Sequence, residues 1–292
     1  MSFDLYFYKQ KKTSLSEFEI ANYLSNNLVQ VNESNNQWFF ENEDTDVYFS
    51  IEINEPEDDP ETIELFENFE DFENTHFSFN LNFMRPSFFG LEAFQFVEKF
   101  IKDLGLFVLN PQEALEIPYI PDKQQLFENW NRTNLNSSKE HFGEESHYYP
   151  LEESNQIWEF NFNRKNIQEE IGDDYFVSRI FFCKTFKDNE IVTLSTWTQH
   201  IPNILPKTDY YLLIREYKKL FKKVKDNVLI SHQTLVDKFG NYFEDYLIKD
   251  CKIIHPEQAS EVESIFNDLK SDMKFEKYME RIGLESLYNA KP

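Results

Sequence analysis

Fifteen carboxylates crowd residues 41–73: Glu41, Glu43, Asp44, Asp46, Glu52, Glu55, Glu57, Asp58, Asp59, Glu61, Glu64, Glu67, Glu70, Asp71 and Glu73. No Lys or Arg occurs from Thr13 to Met84 to balance them. Three kinds of chemistry use acids at this density. The first is recognition of a cationic protein, because concentrated carboxylates steer a basic partner and raise its on-rate. Ile63, Leu65, Phe66, Phe69 and Phe72 are interleaved with the acids. Such residues supply the desolvated anchors that charge alone does not. The partner-binding set chosen on this basis is Glu55, Glu57, Asp58, Asp59, Glu61, Glu64 and Glu67. A plainer reading stands beside it: a solvated acidic face with the three Phe buried beneath, since their spacing is near a helical period.

The second chemistry is hard-metal ligation, for which Asp58, Asp59, Glu61 and Glu64 have the right oxygens. Their spacing lacks the loop glycine and alternating ligands of an EF-hand, so no metal is assigned. The third is acid–base catalysis. It needs a geometry that spacing cannot supply, and acid pairs are too numerous to choose one. No catalytic residue and no cofactor is therefore assigned, and the chain leans away from being an enzyme.

Few other residues compete. Arg85 is the only Lys or Arg between Lys12 and Lys99. It is either an anion clamp ahead of a helix or a structural tie to one of the many acids. The six histidines form no metal-binding or zincin spacing. Cys183 follows the apolar run Ile180-Phe181-Phe182, which predicts a buried, inert thiol, and with Cys251 it is too few for a disulfide framework. Residues 215–226 carry Arg215, Lys218, Lys219, Lys222, Lys223 and Lys225 against Glu216 and Asp226. If helical, Leu220, Phe221 and Val224 would anchor this segment. Internal charge compensation is favoured over nucleic-acid binding.

Composition narrows the classes further. The chain has 292 residues, 53 acids, 29 Lys plus Arg and a net charge of −24. Phosphate neutralisation needs basic residues, so nucleic acid is an improbable ligand, as is an anionic membrane surface. The closest two of the six glycines, Gly90 and Gly105, stand fifteen positions apart. That spacing excludes G-x-G-x-x-G, the P-loop and G-x-S-x-G together. The opening MSFDLYFYKQKK has its positive charges after its apolar run, the reverse of a signal peptide, and a cytoplasmic location is expected.

The elements that must position the acids read clearly at the N-terminus. Phe3, Leu5 and Phe7 alternate with polar or amphipathic neighbours, as do Val47, Phe49 and Ile51, and Phe77, Phe79 and Leu81. Ser16 and Glu19 form a capping box before a helix. Leu91 to Leu104 is amphipathic and stops at Gly105. The order predicts a βαβββαβ α+β sandwich over 1–112, with helices on one face of a mainly antiparallel sheet. Residues 113–122, with Pro118 and Pro121, read as a connector. Residues 123–292 read as a helix-rich α+β part with a hairpin near 175–197, a helix over 231–246 and a last helix over 273–288.

The opening MSFDLYFYKQKK, the run Phe77-Ser-Phe-Asn-Leu-Asn-Phe and the stretch Met84-Arg-Pro-Ser-Phe-Phe-Gly-Leu-Glu resemble a family of uncharacterised bacterial cytoplasmic proteins. In composition the chain is also similar to immunity proteins of bacterial polymorphic-toxin systems, which are acidic, glycine-poor α+β proteins without catalytic motifs. That likeness implies an inhibitor that covers a cationic, nuclease-like toxin. A hydrolase with a dispersed carboxylate site and a scaffold without a dedicated activity are the alternatives. Partner identity and oligomeric state are not legible.

Overall fold

The computed structural model describes residues 1–30, 36–56, 58–113, 117–219, 222–269 and 273–291. Packing divides the chain into two units. One is Met1–Ser154 with Leu284–Pro292, and the other is Asn155–Gly283.

The first unit opens with β1 (Ser2–Gln10), α1 (Glu17–Asn27), β2 (Val29–Gln30), β3 (Gln37–Asn42) and β4 (Val47–Ile53). It continues with α2 (Pro60–Phe66), β5 (Phe72–Asn82), α3 (Phe88–Leu104), β6 (Phe107–Leu109), α4 (Lys123–Glu140) and β7 (His147–Tyr148). Six strands form one sheet in the order β2-β3-β4-β5-β1-β6, and every pairing is antiparallel. The expected α+β class and antiparallel sheet are therefore present. The short β2 and α2 add to the expected element order.

Period-two alternation explains the inner face. Leu5 lies opposite Phe79, and Phe79 opposite Ile51, so one face collects the large apolar side chains. Phe3, Leu5, Phe7, Phe49, Ile51, Phe77, Phe79 and Leu81 are all buried there. Helix α3 lies on that face. Its Phe94 ring meets Phe3 at 5.7 Å and Phe79 at 5.9 Å, and Phe100 meets Phe7 at 4.9 Å. Helix α1 starts at the Ser16–Glu19 capping box and is tied to β3 by Trp38 Nε1 donating to Ser25 Oγ at 2.9 Å. Helix α3 ends at Gly105, whose φ of +65° is the left-handed cap that glycine adopts without steric cost.

Of the residues expected to form a connector, 113–122, residues 114–116 lie outside the described ones, and 113 and 117–122 fall within this first unit. Tyr119 bridges to Val108 of β6, and α4 then packs on α3. The contact is close: a Cβ on Gly90 would stand 2.6 Å from Trp130 Cε3. The prolines mark a bend in the chain, while the fully buried Trp130 draws α4 back onto the first core. The C-terminus returns as well. Leu287–Tyr288 pairs with β7, and Asn289 Oδ1 accepts the Ser87 N–H at 2.7 Å.

Helix α5 (Leu151–Ile171) leads into the second unit. Its elements are β8 (Phe176–Val177), β9 (Phe181–Thr185), β10 (Ile191–Thr198), β11 (Asn203–Pro206), β12 (Tyr210–Lys219) and β13 (Lys222–Ser231). They are followed by α6 (His232–Phe239), β14 (Glu244–Asp245), β15 (Cys251–Ile254), α7 (Pro256–Glu261), α8 (Glu263–Asp268), α9 (Phe275–Tyr278) and β16 (Met279–Arg281). A five-stranded sheet runs β13-β12-β10-β9-β16 and a four-stranded one β14-β15-β11-β8. Trp197, Tyr211, Leu213, Phe239, Val262 and Phe266 sit in the main core.

Three local expectations differ here. The helix over 231–246 stops at Phe239. The tail over 273–288 is a four-residue helix followed by a strand, because Met279 is buried opposite Thr185 at the edge of β9. The basic segment is a β-hairpin and not a helix, with Leu220 and Phe221 outside the described residues.

Candidate functional site

The outer face of the N-terminal sheet is built from the residues between the buried ones. Asp4 lies opposite Asn80, and Asn80 opposite Ser50, so this face is polar at its centre. Tyr6 and Tyr8 carry it toward the edge. The chain leaving β4 returns to β5 by way of α2, and this return is the acidic segment.

Aromatic contacts hold the segment to the sheet. The Phe66 ring lies 5.0 Å from Tyr6, Phe69 stands edge-on to Tyr8 at 5.3 Å, and Phe72 meets Phe107 at 4.8 Å. Tyr8 Oη donates to the Phe66 carbonyl at 2.8 Å, and Lys11 Nζ donates to the Phe69 carbonyl at 2.7 Å. Burial, with the Glu67 charge in support, pushes the Tyr8 phenol above its ordinary pKa, so Tyr8 stays a neutral donor. The three Phe are half-buried and act as the anchors of the segment.

The carboxylates divide by environment. Glu55, Asp58, Asp59, Glu61 and Glu64 are exposed. Of these, Glu55, Asp58, Glu61 and Glu64 make no ion pair among the described residues. Leu65, on α2 with Glu61 and Glu64, is 66% exposed, and Ile63 is also exposed. Glu67 is different. It is half-buried, accepts from Asn74 Nδ2 at 2.7 Å and lies 3.9 Å from His76 Nδ1. His76 has φ of +61° at the bulge where β1 and β5 shift register, so Glu67 buttresses that bulge. Glu57 lies outside the described residues. No set of three or more His, Cys, Asp or Glu converges as a metal site among the described residues.

Arg85 sits in a separate network. Its Nε and Nη2 donate to Tyr48 Oη at 3.0 and 2.7 Å, and Nη1 donates to the Met84 carbonyl at 2.8 Å. Asn134 of α4 holds the Arg85 backbone through both its amide atoms. None of these bonds reaches the 55–67 carboxylates. The guanidinium braces the turn at Met84, which has φ of +61°.

The thiols are poor nucleophiles. Burial pushes both Cys183 and Cys251 up to about 12. One arrangement escaped sequence reading. Tyr175 Oη lies 2.8 Å from His255 Nδ1, and His255 Nε2 lies 3.7 Å from Glu244 Oε2. Only the Tyr175–His255 contact is within hydrogen-bond reach; Glu244 lies beyond it. Tyr175 is distant in sequence from Glu244 and His255, which stand eleven positions apart at β14 and just after β15, and no spacing rule unites the three.

No family model matches the chain, and neither the curated proteins nor the solved structures contain a significant match. The chemistry of the site is therefore read from this chain's own residues.

Proposed function

We propose that this protein binds a basic protein through the acidic segment, and that the partner is a cationic, nuclease-like toxin which it holds inactive. The observation that carries the reading is the group Glu55, Asp58, Glu61 and Glu64: exposed, without ion pairs among the described residues, and beside the exposed Leu65. Unpaired acids next to an apolar residue supply both halves of an interface, the steering field and a surface to desolvate. Inhibition follows by occlusion. The carboxylates take the positions that a nuclease offers to phosphate oxygens.

The test is capture from an extract of the native cell at low and high salt, followed by a nuclease assay on whatever basic protein is retained. A partner held at low salt, released at high salt and inhibited at equal amounts of the two proteins supports the reading. Recovery of no basic protein at low salt sinks it. A toxin gene next to the gene for this chain would point the same way.

A further inference from the structure

We propose that helix α6 is an acid-sensitive latch on the core of the second unit, released when His232 takes up a proton. The helix has eight residues and buries two side chains, Leu235 and Phe239. Phe239 meets Trp197 at 5.2 Å and Phe266 at 5.4 Å. Two turns of helix are too short to stand without that packing. The outer side is open, with Val236 47% exposed.

The first turn ties this helix to the sheet. Ser231 is the N-cap, its Oγ accepting the Thr234 N–H at 3.2 Å. His232 follows as the first helical residue, and its N–H donates to the Asp209 carbonyl at 2.8 Å. Its ring lies tilted against the Tyr211 ring, with centroids 6.0 Å apart, and Nδ1 stands 3.3 Å from Tyr211 Oη. The phenol settles which nitrogen carries the proton. Tyr211 Oη accepts the Thr208 N–H at 3.0 Å and donates to the Pro206 carbonyl at 3.0 Å. Only a lone pair remains for His232, so Nδ1 is the donor and Nε2 is the nitrogen left to take up a proton.

A proton on Nε2 leaves the bond to Tyr211 intact but puts a full charge in a poor place. The positive end of the helix repels a cation at its first residue. The charged groups that reach the ring are Lys207 and Asp209 on the β11–β12 turn and Lys252 on β15. Asp209 is the one attraction, and its Oδ2 is already engaged by the Thr193 N–H and hydroxyl at 2.7 and 2.8 Å. Burial keeps the Tyr211 phenol and the Cys251 thiol of β15 neutral, so neither supplies an anion. On α6 itself the nearest ionisable groups, Asp237 and Lys238, stand more than one turn away. Burial first, then Lys207 and Lys252, lowers the imidazole below its ordinary range. The folded state therefore binds this proton less readily than the unfolded one. The stability that neutral His232 gives α6 is present above the unfolded pKa and is lost as pH falls through the folded one. Release uncovers Trp197 and Phe266, an apolar surface presented in acid and closed near neutrality. This device lies apart from the acidic segment and does not depend on the toxin reading.

The test is amide hydrogen exchange of the full chain at about pH 7.5 and about pH 5.5, on either side of ordinary histidine titration, with rates corrected for the intrinsic effect of pH. The opening constant of the α6 amides is expected to rise about threefold or more at the lower pH, while that of the β10 amides holds. Two variants assign the rise to His232. His232→Gln keeps a donor for Tyr211 and cannot take the proton, so its α6 should open equally at both pH values. Lys207→Gln with Lys252→Gln removes the two repulsions and should shrink the rise, which keeps the proposal open to refutation even where His232→Gln loosens α6 throughout. A parent whose α6 opens no more at pH 5.5 than at pH 7.5 overturns the proposal. So does a rise that His232→Gln or the lysine pair leaves unchanged, or one shared equally by β10, which would mark general acid unfolding.

Discussion

The two faces of the N-terminal sheet are made from alternate residues of the same strands, yet they do different work. The inner face carries Phe3, Leu5, Phe7, Phe49 and Phe79, closed over by α3. The outer face carries Asp4, Tyr6 and Tyr8, and its cover is a short acidic segment held by a few rings and by hydrogen bonds such as those from Tyr8 and Lys11 to its carbonyls. Apolar packing under a long helix is concentrated on one side, and the exposed acids lie on the segment that covers the other.

The largest expected effect breaks the inner face. Phe79→Ala removes a fully buried ring that meets Phe49 at 5.3 Å and Phe94 at 5.9 Å. It should destabilise the fold by about 3–5 kcal/mol in urea unfolding. On the outer face, Tyr8→Phe keeps the ring and deletes its donor to the Phe66 carbonyl. A loss of about 1 kcal/mol is expected, together with faster proteolysis within 54–72.

A smaller effect is visible only in its pH dependence. Burial raises the Asp4 carboxyl above its ordinary 3.8, and Oδ1 is buried without a hydrogen bond. The fold therefore favours the neutral acid. The stabilisation from Asp4 is present below the unfolded pKa and is lost as pH rises through the folded one. Asp4→Asn should accordingly gain stability relative to the parent near neutrality and lose that gain in acid. Thermal midpoints of the two proteins across this range check the sign.

Much of the inner face was legible because its cause is local. Alternation, the Ser16–Glu19 box and the Gly105 stop each act within one element. The outer face was legible only in part. The spacing of Phe66, Phe69 and Phe72 announced an apolar side but not that it would rest on Tyr6, Tyr8 and Phe107. Glu67 looked like its neighbours, and only the bulge at His76 separates its role from that of Glu64. The placement of α4 with the first unit rests on long-range contacts, among them Trp130 against Gly90 and Asn134 on the Arg85 backbone, which no local rule encodes. The basic segment was hidden for a similar reason. Its lysines fit a helix or a strand equally well, and the pairing of β12 with β13 decides between them.

The central claim is that the exposed acids between Glu55 and Glu64 serve recognition and not folding. Its most direct test is partner capture by a variant that neutralises them without changing their shape: Glu55→Gln, Asp58→Asn, Glu61→Gln and Glu64→Gln. Each change should alter stability by no more than about 0.5 kcal/mol, as exposed sites away from buried features do. The expected result is a folded protein that no longer retains, at low salt, the basic partner held by the parent. Retention equal to that of the parent would contradict the claim.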